Sequence, residues 1–279
     1  MKADPELTGA VENEEAIGDH AIARRLLDGG LAGSHRSHPR ESNFHNAGRL
    51  ASGDPDSTFG MPDVASATAE EALAAVAAVT GAREPGEAYI DPAATIAGVR
   101  EAARRLGAAC GAGATIVVVT GHPTGLLVHH VRLVEAIAAA GGRVIRPFDE
   151  VVLFHEHGAP RILKYFRGVG ALTDGGNVLH THSPAAMERI LAGGAKPDLV
   201  FGDHGFAGAA VAAGIPTIAV MDTNDPALAV ARARGRDMTI IPMDDNRRPD
   251  SYDVIAELFE RELGVTGGHL QREVPEASW

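Results

Sequence analysis

The sequence predicts an α/β fold of the open, mostly parallel, doubly wound (Rossmann-like) kind, three layers deep with a short antiparallel insertion, in one domain spanning residues 1–279. Three observations carry this. From residue 114 onward, apolar β-branched runs alternate with short polar turns and Ala-rich stretches that end in Gly. The runs are near-continuously apolar, as strands buried on both faces of a parallel sheet must be. The chain of 279 residues, 45% hydrophobic and 22% charged, is long enough to bury one large core.

Taken in order, Met1–Ile17 is an acidic start with Glu6, Glu12, Glu14 and Glu15. A helix is expected after it, because Ile17, Ala21, Ile22, Leu26 and Leu27 recur at helical spacing before Gly29-Gly30. Residues 31–62 lack periodicity and are rich in Gly, Ser, His, Asp and Pro. The segment 1–62 therefore reads as an N-terminal helix and a long loop, and loops of that length in compact domains are commonly functional or disordered. Helices are expected at 68–81, with one Ala/Leu/Val face, and at 92–107, where Asp91-Pro92 supplies an N-cap and a first-turn proline. Parallel strands follow at Thr115–Thr120, Leu199–Gly202, Pro216–Met221 and Met238–Pro242, with helices near 125–140, 205–213, 226–234 and 251–263. Residues 143–182 break the rhythm: Val151–Phe154, Ile162–Phe166, Val169–Leu172 and Val178–His180 are short strand candidates, and Asp174-Gly175-Gly176 is a hairpin turn. This is read as a β-rich antiparallel insertion or cap.

A formal net charge of −12 argues against a nucleic-acid partner, which needs clustered Lys and Arg. No apolar run reaches the roughly 18–20 residues of a membrane span, and Met1–Ile17 lacks the apolar region of a secretory signal. The single cysteine, Cys110, reads as a core residue and suits a reducing compartment, so a cytoplasmic location is expected. Ala- and Gly-rich helices permit a homodimer, which is also the commonest assembly.

Every strand-to-helix turn of an open parallel sheet lies on one edge, and ligands bind outside the carboxyl ends of the strands. Four turns are thereby brought together: Gly121-His122-Pro123-Thr124-Gly125, Asp203-His204-Gly205-Phe206-Ala207-Gly208, Asp222-Thr223-Asn224-Asp225-Pro226 and Asp244-Asp245-Asn246. Taken singly, Asp225 before Pro226 reads as an N-cap, and Asp244–Asn246 as a plain turn. His or carboxylate at successive strand ends is harder to ascribe to capping. His180-Thr181-His182 adds an HxH pair whose imidazoles, if the segment is extended, project to one side as metal ligands do. His155-Glu156-His157 has the same spacing within the insertion. Imidazole and carboxylate without thiolate suit Mg²⁺, Mn²⁺, Zn²⁺ or Fe²⁺. Such an ion could act on a phosphoryl oxygen, with Asp203 or Asp222 ligating and His122 or His204 serving as acid, base or phosphate donor. Phosphate-loop, dinucleotide, GxSxG and DxDx[TV] motifs are all absent.

These motifs resemble those of a bacterial, mainly actinobacterial, family designated simply "phosphatase". The resemblance rests on Pro39-Arg40-Glu41-Ser42-Asn43, Thr120–Leu127, His180-Thr181-His182-Ser183, Asp203–Gly208, Asp222–Leu228 and Pro242-Met243-Asp244-Asp245, in that order over residues 39–245. The family pattern usually has Trp where this chain has Phe206, and the His155/His157 loop has no counterpart in it. The resemblance implies a phosphatase and, joined to the His and Asp residues at the strand ends, leads to the expectation of a metal-dependent phosphoric monoester hydrolase acting on a small phosphorylated metabolite. His122, His204 and Asp203 are the expected catalytic residues, and a divalent ion (Mg, Mn or Zn) would be held by His180, His182, Asp203 and Asp222. Arg40 and Asn43, with His45, would bring phosphate-binding groups from the N-terminal loop. Gly121, Thr124, Gly125 and Asn224 would complete substrate binding from the turns. Two rival readings use the same edge: a lyase, cyclase or isomerase acting on a small carboxylate or phosphate, and a non-catalytic binding protein.

Overall fold

Strands made of Val, Ile and Ala in unbroken runs are stable only when helices cover both sheet faces, and the computed structural model, which describes residues 18–265, has that arrangement. The acidic start Met1–Ile17 lies outside the described residues. Helix α1 covers residues 18–29. Strand β1 (Gly33–Ser34) pairs antiparallel with β2 (Tyr89–Ile90), enclosing helices α2 (Arg40–Ala51), α3 (Pro55–Thr58) and α4 (Ala69–Thr80). Helix α5 (Pro92–Gly111) leads into the main sheet. There the chain runs β3 (Thr115–Val119), α6 (Pro123–Ala139), β4 (Arg143–Val144), β5 (Val151–Glu156), β6 (Ala159–Phe166) and β7 (Val169–Thr173). It continues with α7 (Ala185–Ala192), β8 (Leu199–Asp203), α8 (His204–Ala212), β9 (Thr217–Met221), α9 (Pro226–Ala233), β10 (Met238–Pro242) and α10 (Asp253–Glu262).

The sheet order is β10-β9-β8-β3-β7-β6-β5, with β4 also on β3. The pairings from β10 to β7 are parallel, and the β7–β6 and β6–β5 pairings are antiparallel. Alternate residues of each strand face opposite layers. Ile116, Val118, Phe201, Ile218 and Val220 pack with residues of α1, α5, α6 and α10. Val117, Val119 and Val200 pack with α7 and α8, and Ala219, Met221 and Ile240 with α2, α4 and α9. Cys110 is buried, as expected. No helix among the described residues is long and apolar enough to cross a membrane.

Three expectations need correction. Residues 31–62 contain the helices α2 and α3: α2 lacks a side-chain N-cap and buries only Asn43, Ala47 and Leu50, too sparse a stripe to show as periodicity, and packs onto α4 and α9. The β-rich segment is no separate cap, because β7 joins β3 in parallel inside the sheet and carries β6 and β5 with it. Val178–His180 is not a strand. A single bridge, Thr173 with Val178, closes the Asp174-Gly175-Gly176 turn, and the chain beyond it is irregular.

Helix α6 also buries His129, between Tyr252 and Phe259, with neither ring nitrogen hydrogen-bonded. Burial, reinforced by the positive charge of neighbouring His130 and Arg132, holds His129 well below the ordinary histidine value of 6.5. The unfolded state therefore takes up a proton first, so the stability held above pH 6.5 is lost as pH falls, by up to about 1.4 kcal/mol per pH unit. His129→Phe removes this loss. Urea unfolding from pH 7.5 to 5 should show the variant's margin over the parent widening below pH 6.5, and parallel curves would contradict the assignment.

Candidate active site

Parallel pairing puts the ends of β3, β8, β9 and β10 on one edge. The β3 end continues through Thr120 and Gly121 to His122, and the Gly121 N–H donates to Asp203 Oδ1 at 2.7 Å, tying two strand ends together. His204 follows Asp203 with φ +43, a left-handed conformation that costs a non-glycine residue about 1–3 kcal/mol. That turn brings the imidazole in among carboxylates: Asp203 Oδ1 at 3.2 Å, Asp245 Oδ2 at 3.3 Å and Asp225 Oδ2 at 3.5 Å. The segment 180–182 is held against the same edge by the Thr181 N–H, which donates to Gly121 O at 2.9 Å. Glycines make these approaches possible, since a Cβ on Gly121 would lie 2.4 Å from Thr181 O and one on Gly205 2.3 Å from His182 O.

Four imidazoles thus meet. Ring centroids are 4.4 Å apart for His122–His180, 4.3 Å for the stacked His182–His204 pair and 4.9 Å for His180–His182. Nε2 of His182 lies 3.1 Å from Nε2 of His180. Burial, compounded by the surrounding imidazoles, pushes His180 down to about 4 and also lowers His182. Both therefore offer lone pairs at neutral pH. His204 behaves oppositely: burial opposes its charge, but Asp225, Asp203 and Asp245 outweigh burial and raise it well above the usual value. A dication would supply the same positive charge and displace that proton.

The N-terminal loop closes the other flank. His35 Nδ1 accepts the N–H groups of Ser37 (3.2 Å) and His38 (2.9 Å), and its Nε2 is hydrogen-bonded to Asp222 Oδ1. Ser37 Oγ donates to Asp244 at 2.7 Å. His38 Nε2 lies 3.8 Å from Asp222 Oδ2. Asp222 is raised to about 7, first by burial and then by Asp245 and Asp244, against the opposing pull of His35. Burial also works against Asp245, yet His122 and His204 hold it well below the usual carboxylate range.

Ligand atoms within 4.8 Å of one another form four overlapping groups among the described residues: His122, His180 and His204; His38, Asp222 and Asp245; His35, Asp222 and Asp244; and His204, Asp225 and Asp245. His122 Nδ1, His204 Nδ1, Asp203 Oδ2 and Asp222 Oδ2 are buried without an aligned hydrogen-bond partner. These residues can hold a metal ion.

The expected residues distribute as follows. His122, His180, His182, His204 and Asp203 come together, whereas Asp222 sits with His35 and His38, so the expected set of His180, His182, Asp203 and Asp222 does not form one group. Gly121 and His122 already donate their N–H groups, to Asp203 and to Thr120 Oγ1. Thr124 is exposed. Gly125 is needed for close approach, since its Cβ would lie 2.1 Å from Asp245 O. The Asn224 carbonyl accepts from Asn46 Nδ2 at 2.8 Å. Asn43 is buried, linking Thr223 to Gly86, while His45 and Arg40 are exposed, Arg40 with its guanidinium over Phe44. His155 and His157 are exposed on the β5–β6 hairpin. Asp225 occupies the N-cap position of α9 with Pro226 following, as read, but its side chain makes no capping bond: it accepts the Asp222 N–H at 3.2 Å and faces His204. Asp244 and Asp245 are likewise more than a turn. His35 and His38 were missed, although a His-x-x-His pair in a long polar loop is a signal for them.

Two small clefts flank the imidazoles. One, of only about 10 Å³, is lined by Asn46, Arg49, Ser57, Phe59 and His182. The other, of about 100 Å³, lies beside His180 among Phe154, Leu172 and Leu179, with the Arg161–Glu156 ion pair in its wall. A larger groove of about 820 Å³ follows α4, α5 and β10 but contains no histidine and none of the ligand groups, so it is not the candidate site.

An open parallel sheet that gathers buried His and Asp at its carboxyl edge defines an α/β protein with a centre suited to metal-assisted chemistry on an anion. The comparisons give the family. The phosphatase family model matches residues 17–263. A Streptomyces coelicolor protein named Phosphatase SCO2771 is 32% identical over 257 residues, covering 88% of this chain and 95% of the relative. The chain belongs to the phosphatase family and hence to the hydrolases. No solved structure matches it.

Proposed function

We propose that this protein is a divalent-metal-dependent phosphomonoesterase acting on small phosphorylated metabolites at the carboxyl edge of its sheet. The observation that carries the reading is the convergence of His122, His180 and His204 beside Asp245, with buried nitrogens lacking hydrogen-bond partners. When bound there, a divalent ion would polarise a phosphoryl oxygen and the attacking water. Among the imidazoles, His182 joins none of the ligand groups, is half-buried and lines the Asn46/Arg49/Ser57 cleft. Burial and the neighbouring imidazoles keep it neutral at pH 7, the form that can accept a proton from the attacking water. Asp203 orients: it holds the Gly121 turn through Oδ1 and faces His204 Nδ1. Arg49 and Asn46, the polar side chains nearest His182, would take the phosphate-binding role expected of Arg40 and Asn43 on release from Asp54 and from the Asn224 carbonyl. Thr124 and Gly125 bring their N–H groups to the start of α6, a helix end that favours anions.

The test is phosphate release from a panel of phosphorylated metabolites with Mg²⁺, Mn²⁺ or Zn²⁺, and with chelator. Metal-dependent release supports the reading, and turnover of a metabolite without phosphate release would transfer the site to a lyase or isomerase. Two variants belong in the same assay. His182→Asn should lower kcat by about 10²–10⁴-fold with little change in KM, the loss typical of a removed acid–base group. Arg161→Ala should raise KM about tenfold with kcat nearly unchanged, because the cleft beside His180 holds the alcohol portion of the substrate equally in ground and transition states. An unchanged KM would remove that cleft from the substrate path.

A further inference from the structure

We infer that the edge is built for two divalent ions, one among His122, His180 and His204 and the other among His38, Asp222 and Asp245, with the Asp245 carboxylate joining them. The inference rests on the metal dependence proposed above. The two groups share no residue and come from different parts of the chain: the first from the β3 and β8 ends and the 180–182 segment, the second from the N-terminal loop and the β9 and β10 ends. Asp245 stands between them. Its Oδ1 is 3.4 Å from His122 Nδ1 and its Oδ2 is 3.3 Å from His204 Nε2, while it also completes the group with His38 and Asp222.

Asp222 gives an independent indication. Its Oδ1 is engaged by His35 Nε2 and the Thr223 N–H, while Oδ2 is buried, lacks a hydrogen-bond partner and faces His38 Nε2 at 3.8 Å. One oxygen fixed and the other bare is the arrangement of a carboxylate ligand oriented by an outer partner. His35 serves as that partner, its ring set by backbone donors at Nδ1, and Asp244 clamps the loop through Ser37. Five carboxylates, those of Asp203, Asp222, Asp225, Asp244 and Asp245, are buried together at this edge, an acidic lining that bound cations would neutralise.

The test is metal content of the full-length protein after saturation with Mn²⁺ and removal of excess, read together with the electron paramagnetic resonance spectrum. Two Mn²⁺ per chain with an exchange-coupled spectrum are expected in the unaltered protein, so the result does not depend on any variant folding. His38→Gln and His180→Gln should each leave one ion and an isolated-Mn²⁺ spectrum, while His155→Ala keeps two. One ion per chain at saturation, with an uncoupled spectrum, overturns the inference. Two coupled ions in a protein that releases no phosphate would uphold it and overturn the phosphatase reading. One ion with metal-dependent release would do the reverse.

Discussion

Asp245→Asn should lower kcat/KM for phosphate release by about 10³-fold or more, equivalent to about 4 kcal/mol of transition-state stabilisation, while leaving the fold intact. The carboxylate faces both His122 and His204 and takes part in two of the four ligand groups. An amide keeps the size but removes the charge that holds those imidazoles and any bound cation. Gly125 packs against the Asp245 carbonyl, so backbone placement at this position does not depend on the side chain. Steady-state kinetics with circular dichroism would check this. A loss below tenfold would remove Asp245 from the centre of the site.

Gly205→Ala should damage both stability and activity. A Cβ there would lie 2.3 Å from His182 O and 2.4 Å from both Ser183 C and Ser183 O, all backbone atoms that cannot swing aside. Either the 180–183 segment moves, taking both imidazoles out of position, or the β8–α8 turn does. Overpacking of this kind costs about 1–3 kcal/mol, and displacement of the HxH pair should reduce activity well beyond tenfold. Thermal unfolding and phosphate release measured on the same preparation would test both. Unchanged activity would mean that the pair does not need its present seat.

The parallel core was legible because burial on both faces leaves a distinct mark, unbroken apolar runs, and the runs at 115–120, 216–221 and 238–242 became strands of nearly those bounds. Strand-end residues were legible for the same reason: once the strands are placed, topology alone brings His122, Asp203, His204 and Asp222 to one edge. Helix α2 was not, because its stability comes from contacts with α4 and α9 and leaves little trace in its own sequence. His35 and His38 lay hidden in that misread stretch, and local rules, for a cap at Asp225 and a turn at Asp245, stopped short of the site. Local pattern assigns a residue to a turn, but whether its side chain caps a helix or faces a neighbouring strand end is decided by pairing far off in sequence.

On the function proposed above, the His/Asp edge hydrolyses phosphomonoesters only with a divalent ion in place. The most direct test is phosphate release from the best substrate, followed as Mn²⁺ is added back to chelator-stripped protein. No release is expected from stripped protein, and activity should rise with bound metal to saturation, with the rise abolished in His180→Ala. Full activity in stripped protein, or an undiminished response in His180→Ala, would contradict it.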